Sequence, residues 1–130
     1  MVKENFNFID VDPLLRMDKE RVPEGQIRVG NLCLRIPHWL VESPHTRGLE
    51  SYRMCIDTAN KVLLIRPEKN GPRQLLKKSK SGVTVPTWTR CTKLFEDMLK
   101  LGRESYLFPC KWSEKHEGFV VDFKSPLASD

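Results

Sequence analysis

The sequence predicts a mainly β fold with short helices (α+β), built from two tandem half-units in one chain. Three observations carry that reading. The chain repeats itself: Leu34-Arg35-Ile36-Pro37-His38-Trp39 and Val83-Thr84-Val85-Pro86-Thr87-Trp88 both read as an alternating strand, a proline, one polar residue and a tryptophan. Similar hairpin patterns follow each copy, Ser51-Tyr52-Arg53-Met54-Cys55-Ile56 with Val62–Ile65, then Ser105-Tyr106-Leu107-Phe108-Pro109-Cys110 with Gly118–Phe123. The offset moves from 49 at the tryptophans (88 − 39) to 54 at the tyrosines (106 − 52), as two diverged copies with unequal loops require. Apolar residues alternate with period two over most of these segments. Finally, Pro37 and Pro86 stand where a strand should give way to a helix, because proline cannot donate to a ladder and is favoured as a first helical residue.

Residues 1–25 read as an N-terminal arm. Phe6, Phe8, Ile9 and Val11 are apolar enough to pack as a short added strand. Asp12-Pro13 interrupts it, Leu14-Leu15-Arg16-Met17 suits one helical turn, and Arg21 to Gly25 reads as a turn. Residues 26–67 form the first half-unit. Ile27 and Val29 alternate with Arg28, Gly30-Asn31 is a turn, and Leu34 and Ile36 alternate with Arg35. This period puts Arg28 and Arg35 on the face opposite the apolar residues. A short helix then runs from Pro37 to Glu42 and stops at Ser43-Pro44. Tyr52, Met54 and Ile56 line one face of a hairpin. The unbroken Val62-Leu63-Leu64-Ile65 run predicts a strand buried on both sides.

Residues 68–80 read as a basic linker, with Lys69, Arg73, Lys77, Lys78 and Lys80 against Glu68. Residues 81–124 form the second half-unit. Trp88, Cys91, Phe95 and Met98 fall on one helical face, so a helix longer than the first is expected from Pro86 to Gly102. Ser105–Trp112 should be a strand in which Pro109 marks an edge or bulge. Phe119, Val121 and Phe123 alternate in the last strand, and residues 125–130 are expected to fray. The span 26–124 is read as one domain.

The bulk properties exclude several classes. The 130 residues suffice for a real core, and 39% are apolar and 30% charged. No apolar run reaches the roughly 18 residues of a membrane span. The N-terminus lacks a basic start followed by an apolar block, so a cytoplasmic location without a membrane is expected. Cys33, Cys55, Cys91 and Cys110 form no C-x-x-C pair, which argues against zinc, and reduced core cysteines are expected. No serine, cysteine or carboxylate stands at a triad-specifying spacing from His38, His45 or His116. Asp10 and Asp12 are two carboxylates on the arm, too few by themselves to specify a metal site. No catalytic residue, metal or cofactor is therefore expected, and an enzyme is not. The net charge of +5, with a pI near 9.1, suits an anionic partner.

A strand, a proline, a short helix and a hairpin in about 45 residues resemble the swapped-hairpin domain of the AbrB, MraZ and SpoVT group of bacterial transcription factors. Ser81-Gly82-Val83-Thr84-Val85-Pro86 is similar to that family's Gly-Arg-Val-Thr-Ile-Pro strand end. Arg90 stands where members carry an arginine at the helix start. Ile36-Pro37 and Val62-Leu63-Leu64-Ile65-Arg66-Pro67 are similar to the family's Ile-Pro step and closing strand. The chain departs from the pattern at Val41, where the arginine would sit, at Trp39 and Trp88, where a charged residue is usual, and in the longer second helix. The resemblance implies a pseudo-two-fold swapped-hairpin β-barrel. Physics favours closure too, since a lone unit would leave unpaired edges.

The resemblance also implies double-stranded DNA as the partner and a role as a small transcriptional regulator. Arg28, Arg35, Arg66, Arg73, Lys77, Lys78, Lys80 and Arg90 are the candidate DNA contacts, the lysines positioning the protein on phosphates and the arginines suited to guanine edges. Tyr106 and Trp112 are read as packing before base stacking. The alternative is a protein-interaction module of the same fold, antitoxin-like or an inhibitor. It would hold a protein partner through Phe6, Phe8, Leu14 and Leu15, and a homo-dimer is the further partner expectation.

Overall fold

The computed structural model describes residues 6–8, 22–124 and 126–129. Eleven strands occupy this span, all paired antiparallel. They are β1 (Gln26–Gly30), β2 (Cys33–Arg35), β3 (Ser51–Asp57), β4 (Val62–Glu68), β5 (Arg73–Gln74), β6 (Leu76–Lys78), β7 (Thr84–Pro86), β8 (Trp88–Arg90), β9 (Tyr106–Ser113), β10 (Gly118–Asp122) and β11 (Ala128–Ser129). A short helix α1 spans His38–Glu42, a 3-10 turn Pro44–Thr46, and a π-helix Lys93–Met98.

The main sheet runs β5-β3-β4-β10-β9-β1-β2-β8 and curls into a half-barrel, with β11 added beside β9. Backbone bonds join its two ends. The Leu75 N–H donates to Glu50 O (2.9 Å), the Thr87 N–H to Leu75 O (3.0 Å), and the Ile36 N–H to Thr87 O (3.0 Å). Inside, the Tyr52 and Thr89 hydroxyls meet at 3.2 Å, linking β3 to β8. Strands β6 and β7 pair only with each other, as a separate hairpin.

Period-two alternation fills the interior. Ile27, Val29, Leu34, Leu63, Ile65, Phe108, Cys110, Phe119 and Val121 are buried. Each fully buried large side chain contributes about 1.5–3 kcal/mol. Leu40 of α1 and Phe95 of the π-helix are wholly buried in the same core. Phe95 and Phe108 both meet Phe123 edge-on, at 5.7 and 4.8 Å. Beside α1, Trp39 meets Phe119 edge-on at 5.6 Å and donates its Nε1–H to Gln26 O. His45 stacks on Trp112 at 4.0 Å.

Several expectations are corrected. The first turn lies one residue later than Gly30-Asn31, at Asn31-Leu32, where both residues have positive φ (50° and 61°). Pro86 opens no helix: it ends β7, and Trp88–Arg90 are taken into β8 by pairing with β2. Helix begins only at Lys93, winding as a π-helix whose Leu99 N–H reaches Leu94 O. Trp39 and Trp88 therefore stand in different settings, one half-buried on a helix, the other 44% exposed on a strand. Strand β4 buries Leu63, Ile65 and Pro67 but leaves Val62, Leu64 and Arg66 half-covered, so it is not enclosed on both faces. Residues 68–80 include the end of β4, β5 and β6. In the tail, β11 pairs with β9. Pro109 falls where β9 passes from β10 pairing (Cys110–Ser113) to β11 pairing (Tyr106–Leu107), a gap that tolerates a missing N–H. All four cysteines are free; Cys33 and Cys110 are buried, Cys91 is half-buried and Cys55 is exposed, so only part of the set lies in the core.

Candidate nucleic-acid interface

The β2–β8 pair gathers part of the expected cation set. Leu34 and Thr89 face one another inward, one buried and the other reaching Tyr52. Alternation therefore turns their neighbours Arg35, Trp88 and Arg90 outward. Arg35 lies directly opposite Trp88, where cross-strand side chains touch. The Lys77 ammonium sits 5.7 Å from the Trp88 ring centroid, a cation–π contact that ties the β6–β7 hairpin to this face. Lys78 follows on β6, and Lys80 stands at the hairpin tip; both are exposed.

Charge here is one-sided. Between Glu68 and Glu96 the chain carries Lys69, Arg73, Lys77, Lys78, Lys80, Arg90 and Lys93 and no Asp or Glu. Among the described residues, no carboxylate lies within ion-pair distance of Arg35, Arg73, Lys77, Lys78, Lys80 or Arg90. By contrast, Arg53 on β3 pairs with Glu68 at 3.2 Å.

Arg28 and Arg66 lie apart. Arg28 is half-buried on β1, its guanidinium donating to Ser105 Oγ at 3.2 Å. Arg66 is on β4, across the sheet from β8, and donates twice to the His116 carbonyl. Arg73 stands opposite Tyr52 in the β3–β5 pair, at the sheet end that backbone bonds join to the β8 end. Its charge opposes the burial that raises the Cys91 thiol pKa. Phe6 and Phe8 are 68% and 88% exposed, with rings 5.8 Å apart. Leu14, Leu15, Asp10 and Asp12 lie outside the described residues. Tyr106 and Trp112 pack partly buried against the core.

The sequence concealed two parts of this surface. Trp88 fits a helical core face, and only pairing with β2 turns it outward. The β6–β7 hairpin was hidden in a segment read as linker and strand end. Its signal was present nonetheless: Ser79-Lys80-Ser81-Gly82 is turn-forming, between Leu76–Lys78 and Val83–Val85. Away from the cations, an open, largely apolar groove of about 260 Å³ lies on β3, β4 and β10, lined by Cys55, Ile56, Leu64, Val120 and His116 among others. Among the described residues no cluster of three His, Cys, Asp or Glu is placed to hold a metal, and no helix is long and apolar enough to cross a membrane.

No protein-family model matches the chain, and no curated protein or solved structure matches it.

Proposed function

We propose that the chain binds double-stranded DNA, as a small transcriptional regulator of the AbrB-like kind, through the face around Trp88. The observation that carries this is the set of exposed cations Arg35, Lys77, Lys78, Lys80 and Arg90, none with a carboxylate partner among the described residues. Leaving such charges unpaired on one face costs self-repulsion, which an anionic partner relieves. Phosphates meet that need and release condensed counterions.

We further infer that the barrel is a duplication with interleaved hairpins, in a register different from the Pro37/Pro86 one. The strand order supports this: exchanging β4 with β10, β3 with β9 and β5 with β1 returns the run β5-β3-β4-β10-β9-β1 reversed, and the β2–β8 pair exchanges within itself. Two backbone bonds are reciprocal under that exchange, Ile36 N–H to Thr87 O and Cys91 N–H to Leu32 O. The end of β2 and the start of α1 correspond to the end of β8 and the start of the π-helix at a common spacing of 55 residues (90 − 35 and 93 − 38). Arg35 and Arg90 become equivalent residues on either side of the local dyad. Leu40 and Phe95, both wholly buried, become equivalent too.

Fluorescence anisotropy on a mixed-sequence duplex, at rising salt, tests the DNA reading. Binding should weaken steeply between about 50 and 200 mM salt, and Arg35→Ala with Arg90→Ala should flatten the response. A salt-independent or absent signal rejects it. The exposed Phe6–Phe8 pair favours a second reading, a protein-interaction arm. There, Phe6→Ala with Phe8→Ala abolishes partner capture and leaves DNA binding unchanged.

A further inference from the structure

The β6–β7 hairpin stands outside the main sheet, yet it is firmly mounted. At its base Leu75 is buried, the Thr87 N–H donates to Leu75 O, and the Thr87 hydroxyl donates to Gln74 O at 2.6 Å. At its tip the Gly82 N–H donates to Ser79 O and the Ser79 N–H to Val83 O, at 2.9 and 2.7 Å. Gly82 has φ +84°. This is a closed hairpin turn with glycine in the left-handed position. Its surface carries Lys77, Lys78 and Lys80, no acid, and Val83 at 57% exposure. An exposed valine at the end of a cationic ribbon is a poor solvent-facing tip.

We infer that this hairpin is the element that enters the major groove of the DNA, with Lys78, Lys80 and Val83 against the base edges while Arg35, Arg90 and Lys77 hold the flanking phosphates. The inference rests on the DNA-binding reading above and names the element that reads the duplex. The dimensions fit: a two-stranded ribbon projecting on the order of 15 Å matches a groove roughly 12 Å wide and 8.5 Å deep. Lysine donates to guanine O6 and N7, and an aliphatic side chain meets the thymine methyl. Among the described residues there is one such hairpin, because the corresponding step of the first half is the two-residue turn Asn31-Leu32. One chain therefore makes one groove insertion, on an asymmetric stretch of sequence. A-form RNA has a deep, narrow major groove that excludes the ribbon.

The test uses the full chain with one mixed sequence prepared as a DNA duplex and as an RNA duplex, and with heparin as a plain polyanion. The unaltered protein should bind DNA more tightly than RNA or heparin and should shield guanine N7 from dimethyl sulfate. Lys78→Ala with Lys80→Ala should remove both the shielding and the preference for DNA, while Arg35→Ala with Arg90→Ala lowers the salt slope by about two. Gly82→Ala should also remove shielding and preference with the sheet intact, since its added Cβ meets nothing within 4 Å and only the turn is strained. DNA binding that Arg35→Ala weakens, with no N7 shielding and no response to the hairpin variants, overturns the groove assignment and leaves the DNA reading standing. Failure of the unaltered chain to prefer duplex DNA over heparin overturns both.

Discussion

Cys110 shows how one buried residue ties this fold to pH. Its thiol is enclosed in the sheet interior, and burial pushes its pKa up to about 12, because a thiolate there would lose its hydration. A thiol whose folded pKa is raised stabilises the fold fully below its unfolded pKa, 9.0 for an ordinary cysteine. That contribution declines as pH rises from 9 towards 12, by roughly 1 kcal/mol per pH unit. Denaturant melts across that window should show Cys110→Ala losing less stability with pH than the unaltered chain. Parallel slopes would contradict the burial argument. Gly71 makes a steric point at the same scale: a Cβ there would lie 2.8 Å from Tyr52 O and 2.9 Å from its carbonyl carbon, so backbone must move. Gly71→Ala is expected to cost about 1–3 kcal/mol, measured by the same melts.

At the scale of elements, the joint between the two ends of the sheet is the part least readable in advance. Hairpins β3–β4 and β9–β10 follow from period-two patterning, and their ranges match the expectation closely. The joint depends on Leu75 and Thr87, two residues in stretches without strong periodicity, whose backbone groups bond across the closure. Leu75→Ala should remove about 2–5 kcal/mol through the lost contacts and the cavity left. Tyr52→Phe should cost about 1 kcal/mol, since it removes the hydroxyl pair with Thr89 and little packing. A Tyr52→Phe loss as large as that of Leu75→Ala would mean that the hydroxyl bond, rather than the buried leucine, dominates the joint. The helix expected after Pro86 failed for a related reason. Trp88, Cys91, Phe95 and Met98 have helical spacing, but the free edge of β2 takes Trp88–Arg90 as a strand, and tertiary pairing outweighs local periodicity. Candidate contacts read from the sequence divided accordingly. Arg35 and Arg90 lie on the paired strands β2 and β8, opposite Trp88 and Cys33, whereas Arg66, similar in sequence terms, leaves from β4 and binds the His116 carbonyl.

At the scale of the whole molecule, the Pro37/Pro86 pairing read from the sequence places Trp39 and Trp88 in settings that do not match. Val83-Thr84-Val85-Pro86 has the composition of the β2 end and the residues that follow, yet in the structure it lies at the hairpin tip and in β7. In the duplication proposed here, the hairpin is an insertion into the second half, which carries the matching strand on to Trp88–Arg90. Composition cannot separate an inserted ribbon from the strand it imitates; only the pairing partner does. The same insertion places Lys77 against the Trp88 ring, beside Arg35 and Arg90. The salt dependence of duplex DNA binding by the full chain, compared with that of Arg35→Ala combined with Arg90→Ala, tests this account most directly. The account predicts a steep slope for the unaltered protein and one shallower by about two for the variant. Identical slopes, or no duplex binding by either protein, would contradict it.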